Sequence, residues 1–269
     1  MAFRFDHLVH IVWRPEETAE QLRGIGLAVR PGGEHERWGT YNELSYFGLS
    51  YLELLGVRHP ALAAKTRDND LVRQTVDELP SGEKFARLAL RTDRIEEEAE
   101  RFRSQRLRVT GPFPGSRRRA DGSLLAWSML FLEWPDGHGP PLPFVIQWGE
   151  SDEERLGRLN REAEQAPHLA GELKLTQVAF AVRDAGETAE EWARLFGLQA
   201  GVPAADPSLR AHCRTLALPG GELLFCSPAG TGQVADALNR HGEGPFLVRL
   251  AGAGEKSRHE VSGGIYEFI

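Results

Sequence analysis

HLVHIVWRPEETAEQLR, residues 7–23, decides the reading of this chain, because the same pattern returns without gaps as RLALRTDRIEEEAERFR from Arg87 and as QVAFAVRDAGETAEEWA from Gln177. In each copy an apolar run passes through a short polar turn into Glu/Ala-rich sequence with helical spacing, so each reads as strand, turn and helix. Thr18, Glu98 and Thr188 coincide, followed by Ala19, Ala99 and Ala189. Leu22, Phe102 and Trp192 fall three positions further on, where a helix turns one face inward.

Strand-like stretches follow each helix. In the first copy they are LAVRPGG from Leu27, YNELSYFG from Tyr41 and YLELLGV from Tyr51, broken at Pro31-Gly32-Gly33 and near Gly48. The unit is therefore βαβββ. The second copy shows a hairpin signal at Asp121-Gly122 and a last strand from Phe144 to Trp148; the third has two strands around Pro219-Gly220-Gly221. Gly244 to Gly252 reads as the start of an abbreviated fourth unit. The expected class is α+β, built of repeated βαβββ modules forming curved mixed sheets. Residues 1–150 hold the first two modules, 151–170 a linker helix, and 171–269 the third module with its abbreviated C-terminal unit. A further helix is expected within His59 to Leu79, over DLVRQTVDEL.

The chain has 269 residues and a net charge of −7, from 32 basic against 39 acidic side chains, which gives no broad electrostatic footprint for nucleic acid or an anionic membrane. Arg4 and Asp6 interrupt the opening where a secretion signal needs an apolar run, and no stretch approaches the roughly 18 apolar residues of a membrane span. A cytoplasmic location is expected. Two cysteines, Cys213 and Cys226, are too few for a disulfide scaffold and are expected to be reduced. GxSxG, HExxH and dinucleotide GxGxxG motifs are absent, and AGAGEKS at Ala251 fails as a phosphate loop because Leu250 and Glu255 stand where glycines are required.

Strict alternation along the first strand places Phe3, Phe5, His7, Val9, Ile11 and Trp13 on one face. His7 is then a polar group on an apolar face, and Glu53 is a carboxylate inside the apolar strand YLELLGV that needs a partner or a solvated cavity. If the sheet curls, the two converge as metal ligands or as an acid/base pair. The plainer alternative is a core histidine bonded to backbone and a glutamate at a wet margin.

Asp6-His7-Leu8, PGGEHERWGTYNEL (Pro31 to Leu44) and YLELLGV together resemble the vicinal oxygen chelate superfamily, and more narrowly its glyoxalase-like domain proteins. The resemblance covers residues 3–150 and implies the glyoxalase/dihydroxybiphenyl dioxygenase-like fold. In metal-dependent members it implies ligands from the first and last strands of each paired unit. His7 and Glu53 match two of these, but Arg87 and Gln147 stand at the others, and a guanidinium is never a ligand. His35 is a possible third donor. A divalent metal is left open, with an incomplete ligand set.

Arg87 is expected either to pair with Glu53 across the two modules or to present its fork to a substrate carboxylate or phosphate, against the plain reading of an exposed arginine. His35, Trp38, Thr40 and Asn42 form a polar lip after the glycine-rich turn. Arg117, Arg118 and Arg119 read as a solvated loop, or alternatively as an anion grip. The expected function is a small-molecule enzyme of lyase, isomerase or dioxygenase type, with His7 and Glu53 moving the proton and His35, Trp38, Thr40, Asn42, Arg87 and Gln147 binding substrate. The alternative is a non-catalytic protein that sequesters a metabolite or drug. A homodimer is possible, since modules can pair within one chain or between two.

Overall fold

In the computed structural model, which describes residues 2–118 and 124–269, the first module runs β1 (Arg4–Ile11), α1 (Pro15–Gly24), β2 (Arg30–His35), β3 (Thr40–Phe47) and β4 (Ser50–Val57). Two short helices, α2 (Pro60–Ala63) and α3 (Asp70–Glu78), lead to the second module: β5 (Lys84–Arg91), α4 (Ile95–Ser104), β6 (Arg108–Arg118), β7 (Leu124–Glu133) and β8 (Phe144–Trp148). All eight strands form one curved sheet in the order β2-β3-β4-β1-β5-β8-β7-β6. β1 pairs antiparallel with β5 at the centre, so the two modules pair within a single chain. The Asp121-Gly122 turn and Arg119 lie outside the described residues, although the strands flanking them pair from Arg118 opposite Leu124.

The helices start and face as the repeat dictates. Pro15 opens α1, where its missing N–H costs nothing, and Glu16 and Glu17 sit at the positive end with Arg23 in the last turn. Thr18, Ala19 and Leu22 are buried, as are Glu98, Ala99 and Phe102 on α4.

Strand β1 departs from strict alternation. Phe5 pairs with Leu90 and His7 with Ala89, so Asp6 is an extra residue, a β-bulge. The bulge flips the parity: Phe3 and Phe5 join Leu8 and Val12 in the core beneath the helices, while Val9 and Ile11 face the opposite, concave side with His7. Trp13, expected on the inner face, is exposed.

A capped helix α5 (Asp152–Gln165) follows, closed at its start by a reciprocal Ser151–Glu154 capping box. The third module is β9 (Gly171–Ala181), α6 (Ala185–Phe196), β10 (Ala204–Asp206), β11 (Ala211–Leu218) and β12 (Gly221–Pro228). After α7 (Gln233–His241) the chain ends in β13 (Gly244–Ala253), β14 (Ser257–Val261) and β15 (Gly264–Phe268). These strands form a second sheet, β10-β11-β12-β9-β13-β15-β14, in which no helix separates β13 from β14. One apolar core runs through both halves, with Phe3 and Phe102 packed on Phe196 at ring separations of 5.5 Å each. Cys213 and Cys226 are buried, opposite one another and free. Among the described residues no helix is long and apolar enough to cross a membrane.

His10 joins the halves. Its Nε2–H donates to the Ser262 carbonyl at 2.7 Å and its Nδ1 accepts from the Tyr266 hydroxyl at 2.7 Å. Burial pushes the imidazole down from 6.5 to about 4. A depressed folded-state pKa means that the neutral ring's contribution is complete above pH 6.5 and is lost as pH falls toward 4, up to about 3 kcal/mol. Denaturant unfolding at pH 7 and pH 4 should show wild type losing about 3 kcal/mol more than His10→Gln. Equal pH slopes for the two proteins would remove His10 as the cause.

Candidate active site

The bulge at Asp6 gives this residue a side chain that reaches its own neighbour. Asp6 Oδ1 accepts from His7 Nδ1 at 2.7 Å, and Asp6 Oδ2 accepts from Trp148 Nε1 at 2.9 Å and from Arg155 at 3.4 Å. On the other side of the ring, His7 Nε2 lies 3.4 Å from Glu53 Oε2. Glu53 Oε1 accepts from Asn42 Nδ2 at 2.5 Å, because Asn42 on β3 lies diagonally across from Glu53 on the same face of β4. The imidazole is stacked on Tyr51 at 4.4 Å and meets the edge of Phe144 at 5.3 Å. Arg155, Asp6, His7 and Glu53 thus form a buried row of alternating charge.

The row settles its own protonation. Burial alone would lift Asp6, but the charge of Arg155 and the bond from His7 outweigh it and hold the carboxyl at about 2. Burial alone would lower His7, yet its bonds to Asp6 and Glu53 raise the imidazole above its ordinary value. Glu53, which burial would raise, is lowered by the bond and charge of His7, helped by His35 and Asn42. Both shifts favour the charged forms, an imidazolium beside a carboxylate.

Above them is a cavity of about 60 Å³. His35, Trp38, Thr40 and Asn42 line it, as the glycine-rich turn predicted, with His35 Nδ1 and Thr40 Oγ1 sharing a hydrogen bond at 3.0 Å. Gly32 has a steric reason: a Cβ there would come within 2.1 Å of Asn42 Oδ1. Burial keeps His35 below its ordinary pKa.

Two expected site residues are elsewhere. Arg87 belongs to the same sheet and face as His7, opposite Val9, but its guanidinium turns away to the carbonyls of Leu132 and Leu142, both at 2.8 Å. It neither pairs with Glu53 nor lines the cavity, because two buried carbonyls and the Phe131 ring satisfy it locally. Gln147 points to the other face of β8, where its Oε1 accepts from the Ile95 N–H at 2.8 Å and caps α4. Period-2 alternation explains the error: Phe144, Ile146 and Trp148 face the cavity, so Gln147 cannot. Glu53→Gln and Arg87→Met, sharing no partner, should act additively on stability to within about 0.5 kcal/mol in a double-mutant cycle; a larger coupling would restore the cross-module pair.

The register also identifies the counterpart of Glu53. Val9 pairs with Glu53, and Ala89, which occupies the place of Val9 in the second module, pairs with Phe144. The four positions that the fold relates are His7, Glu53, Arg87 and Phe144. No group of three His, Cys, Asp or Glu side chains able to hold a metal occurs among the described residues. The donor set does not fit a divalent ion, since Arg87 and Phe144 replace half of it and leave only His7 and Glu53.

Sequence reasoning missed Asp6 as a partner of His7, and it missed Arg155, Trp148 and Tyr51. A bulge leaves no trace in alternation, and Arg155 sits on a helix read as a linker.

A paired-module half-barrel with His7 and Glu53 on its concave face defines a protein of the vicinal oxygen chelate fold. More narrowly, the chain belongs to the glyoxalase-like domain family, whose model matches residues 5–196. Among solved structures it is similar to a hypothetical protein from Staphylococcus aureus, with 22% identity, a TM-score of 0.79 and 99% of each chain covered. It is also similar to a mutant of 4-hydroxymandelate synthase from Streptomyces coelicolor, with 14% identity, a TM-score of 0.56, and 93% of this chain and 71% of that one covered. At these identities the likeness is one of fold. Among curated proteins none matches it by sequence.

Proposed function

We propose that the protein is a cytoplasmic acid–base enzyme of isomerase or lyase type, acting on a small oxygenated metabolite without a bound metal. The observation that carries this reading is the His7–Glu53 pair, an imidazole and a carboxyl group 3.4 Å apart on the floor of a cavity, each shifted toward its charged form. Glu53 takes a proton from carbon next to a carbonyl. The C–H electron pair becomes the C=C bond of an enolate, and the carbonyl electrons move to oxygen, where the His7 N–H holds the charge. Return of a proton to the opposite face of that carbon completes an isomerisation; departure of a group with its bonding pair from the adjacent carbon completes an elimination.

Both Glu53 and His7 are already partnered, which favours sequestration as the second reading. Proton NMR in deuterium oxide with small ketones and 2-oxo acids separates the two. Exchange of the acidic C–H at an undiminished rate in chelator-treated protein is the expected result. Binding without exchange would leave sequestration, and exchange that chelation abolishes and a divalent ion restores would overturn the metal-free reading.

A further inference from the structure

Arginines surround the site, and nearly all have a carboxylate of their own. Arg155 has Asp6, Arg91 has Asp152, Arg37 has Asp68 and Arg30 has Glu162. Arg117, on β6, lines the cavity and pairs with no carboxylate of the described residues. Gly33 lies against it: a Cβ there would sit 3.1 Å from Arg117 Nη1 and would push the guanidinium by a few tenths of an ångström. The floor carries balanced charge, so Arg117 is an uncompensated cation facing a cavity whose other groups are neutral or paired. A guanidinium in that position is a fork-shaped donor for a planar oxyanion.

We propose that Arg117 binds the carboxylate of the substrate, which is therefore a compact organic acid carrying a carbonyl group and an ionisable C–H. This rests on His7 and Glu53 being the reacting pair. Size agrees: at roughly 10–15 Å³ per water-sized group, the 60 Å³ cavity takes about five such groups. A three-carbon oxo acid is of that order of size and offers a carboxylate for Arg117 and methyl hydrogens for Glu53.

Trp38, Trp127 and Trp148 line the same cavity, so their emission reports a ligand entering it. Wild type, Arg117→Met and Arg117→Lys are titrated with pyruvate and with methyl pyruvate, which has the same skeleton without the charge. Wild type should bind the acid at least tenfold more tightly than the ester; Arg117→Met should lose that preference while its affinity for the ester is unchanged, and Arg117→Lys should retain part of it. Equal affinity of wild type for acid and ester, binding of neither, or an undiminished preference in Arg117→Met would overturn the assignment. Exchange of the pyruvate methyl protons is followed separately in each protein. Selective binding without exchange would sink the acid–base reading of His7 and Glu53 and leave Arg117 as an anion anchor.

Discussion

Arg155→Met is expected to destabilise the protein, by up to about 3–5 kcal/mol, because it removes the cation that contributes most to holding the buried Asp6 carboxylate ionised and leaves that group to His7 and Trp148. The Arg155 side chain is 3% exposed and that of Asp6 is 0%, so water replaces neither partner. Methionine keeps much of the packing that the Arg155 stem and its stacking on Trp148 at 4.3 Å provide, which leaves the charge as the main loss. Adding Asp6→Asn should recover a large part of the deficit, since an amide needs no cation. Acid sensitivity gives a second readout. Asp6 is depressed from 3.8 to about 2, so its stabilising contribution is present above pH 3.8 and is lost as pH falls through 2. Without Arg155 its folded-state pKa rises, and acid unfolding should begin at higher pH. A loss below 1 kcal/mol in denaturant unfolding, with no change in the acid transition, would show that the row of charges is not coupled.

Glu53→Gln should lower proton exchange by about 10²–10⁴-fold while leaving the fold intact. Glutamine retains the shape and can still bond Asn42, but it cannot accept the proton. The pH profile of wild type follows from the two shifts. Glu53 lies below its ordinary 4.5 and His7 above its ordinary 6.5, so exchange should rise as Glu53 ionises on the acid side and fall only when His7 deprotonates above pH 6.5. Asp6→Asn removes a bond that raises His7, and the alkaline limb should then move down. An exchange rate in Glu53→Gln within threefold of wild type, or an alkaline limb unaffected by Asp6→Asn, would remove the pair from the reaction.

The modules were legible in the sequence because a helix and the strand before it are specified by local periodicity. The small residue at Ala19, Ala99 and Ala189 and the bulky one at Leu22, Phe102 and Trp192 record the same buried helix face three times, and all six are fully buried. His7 and Glu53 could also be marked, since a polar group in an apolar strand violates the pattern around it. The polar lip from His35 to Asn42 followed from the glycine-rich turn beside it.

What the site does with those residues was decided by tertiary structure. The extra residue at Asp6 is defined only by its pairing against β5, and it turns Phe3 and Phe5 away from the cavity face that His7, Val9 and Ile11 keep. The parity of β8 excludes Gln147 and puts Phe144 at the position equivalent to Glu53, and Arg87 finds two carbonyls, one from β7 and one from a loop. Arg155 reaches Asp6 from 149 residues away, on a helix whose own sequence shows only its cap and its charge. Local periodicity fixes which residues are inward on an isolated element. Strand register and the docking of distant helices fix which inward groups meet, and a proton moves only between groups that meet.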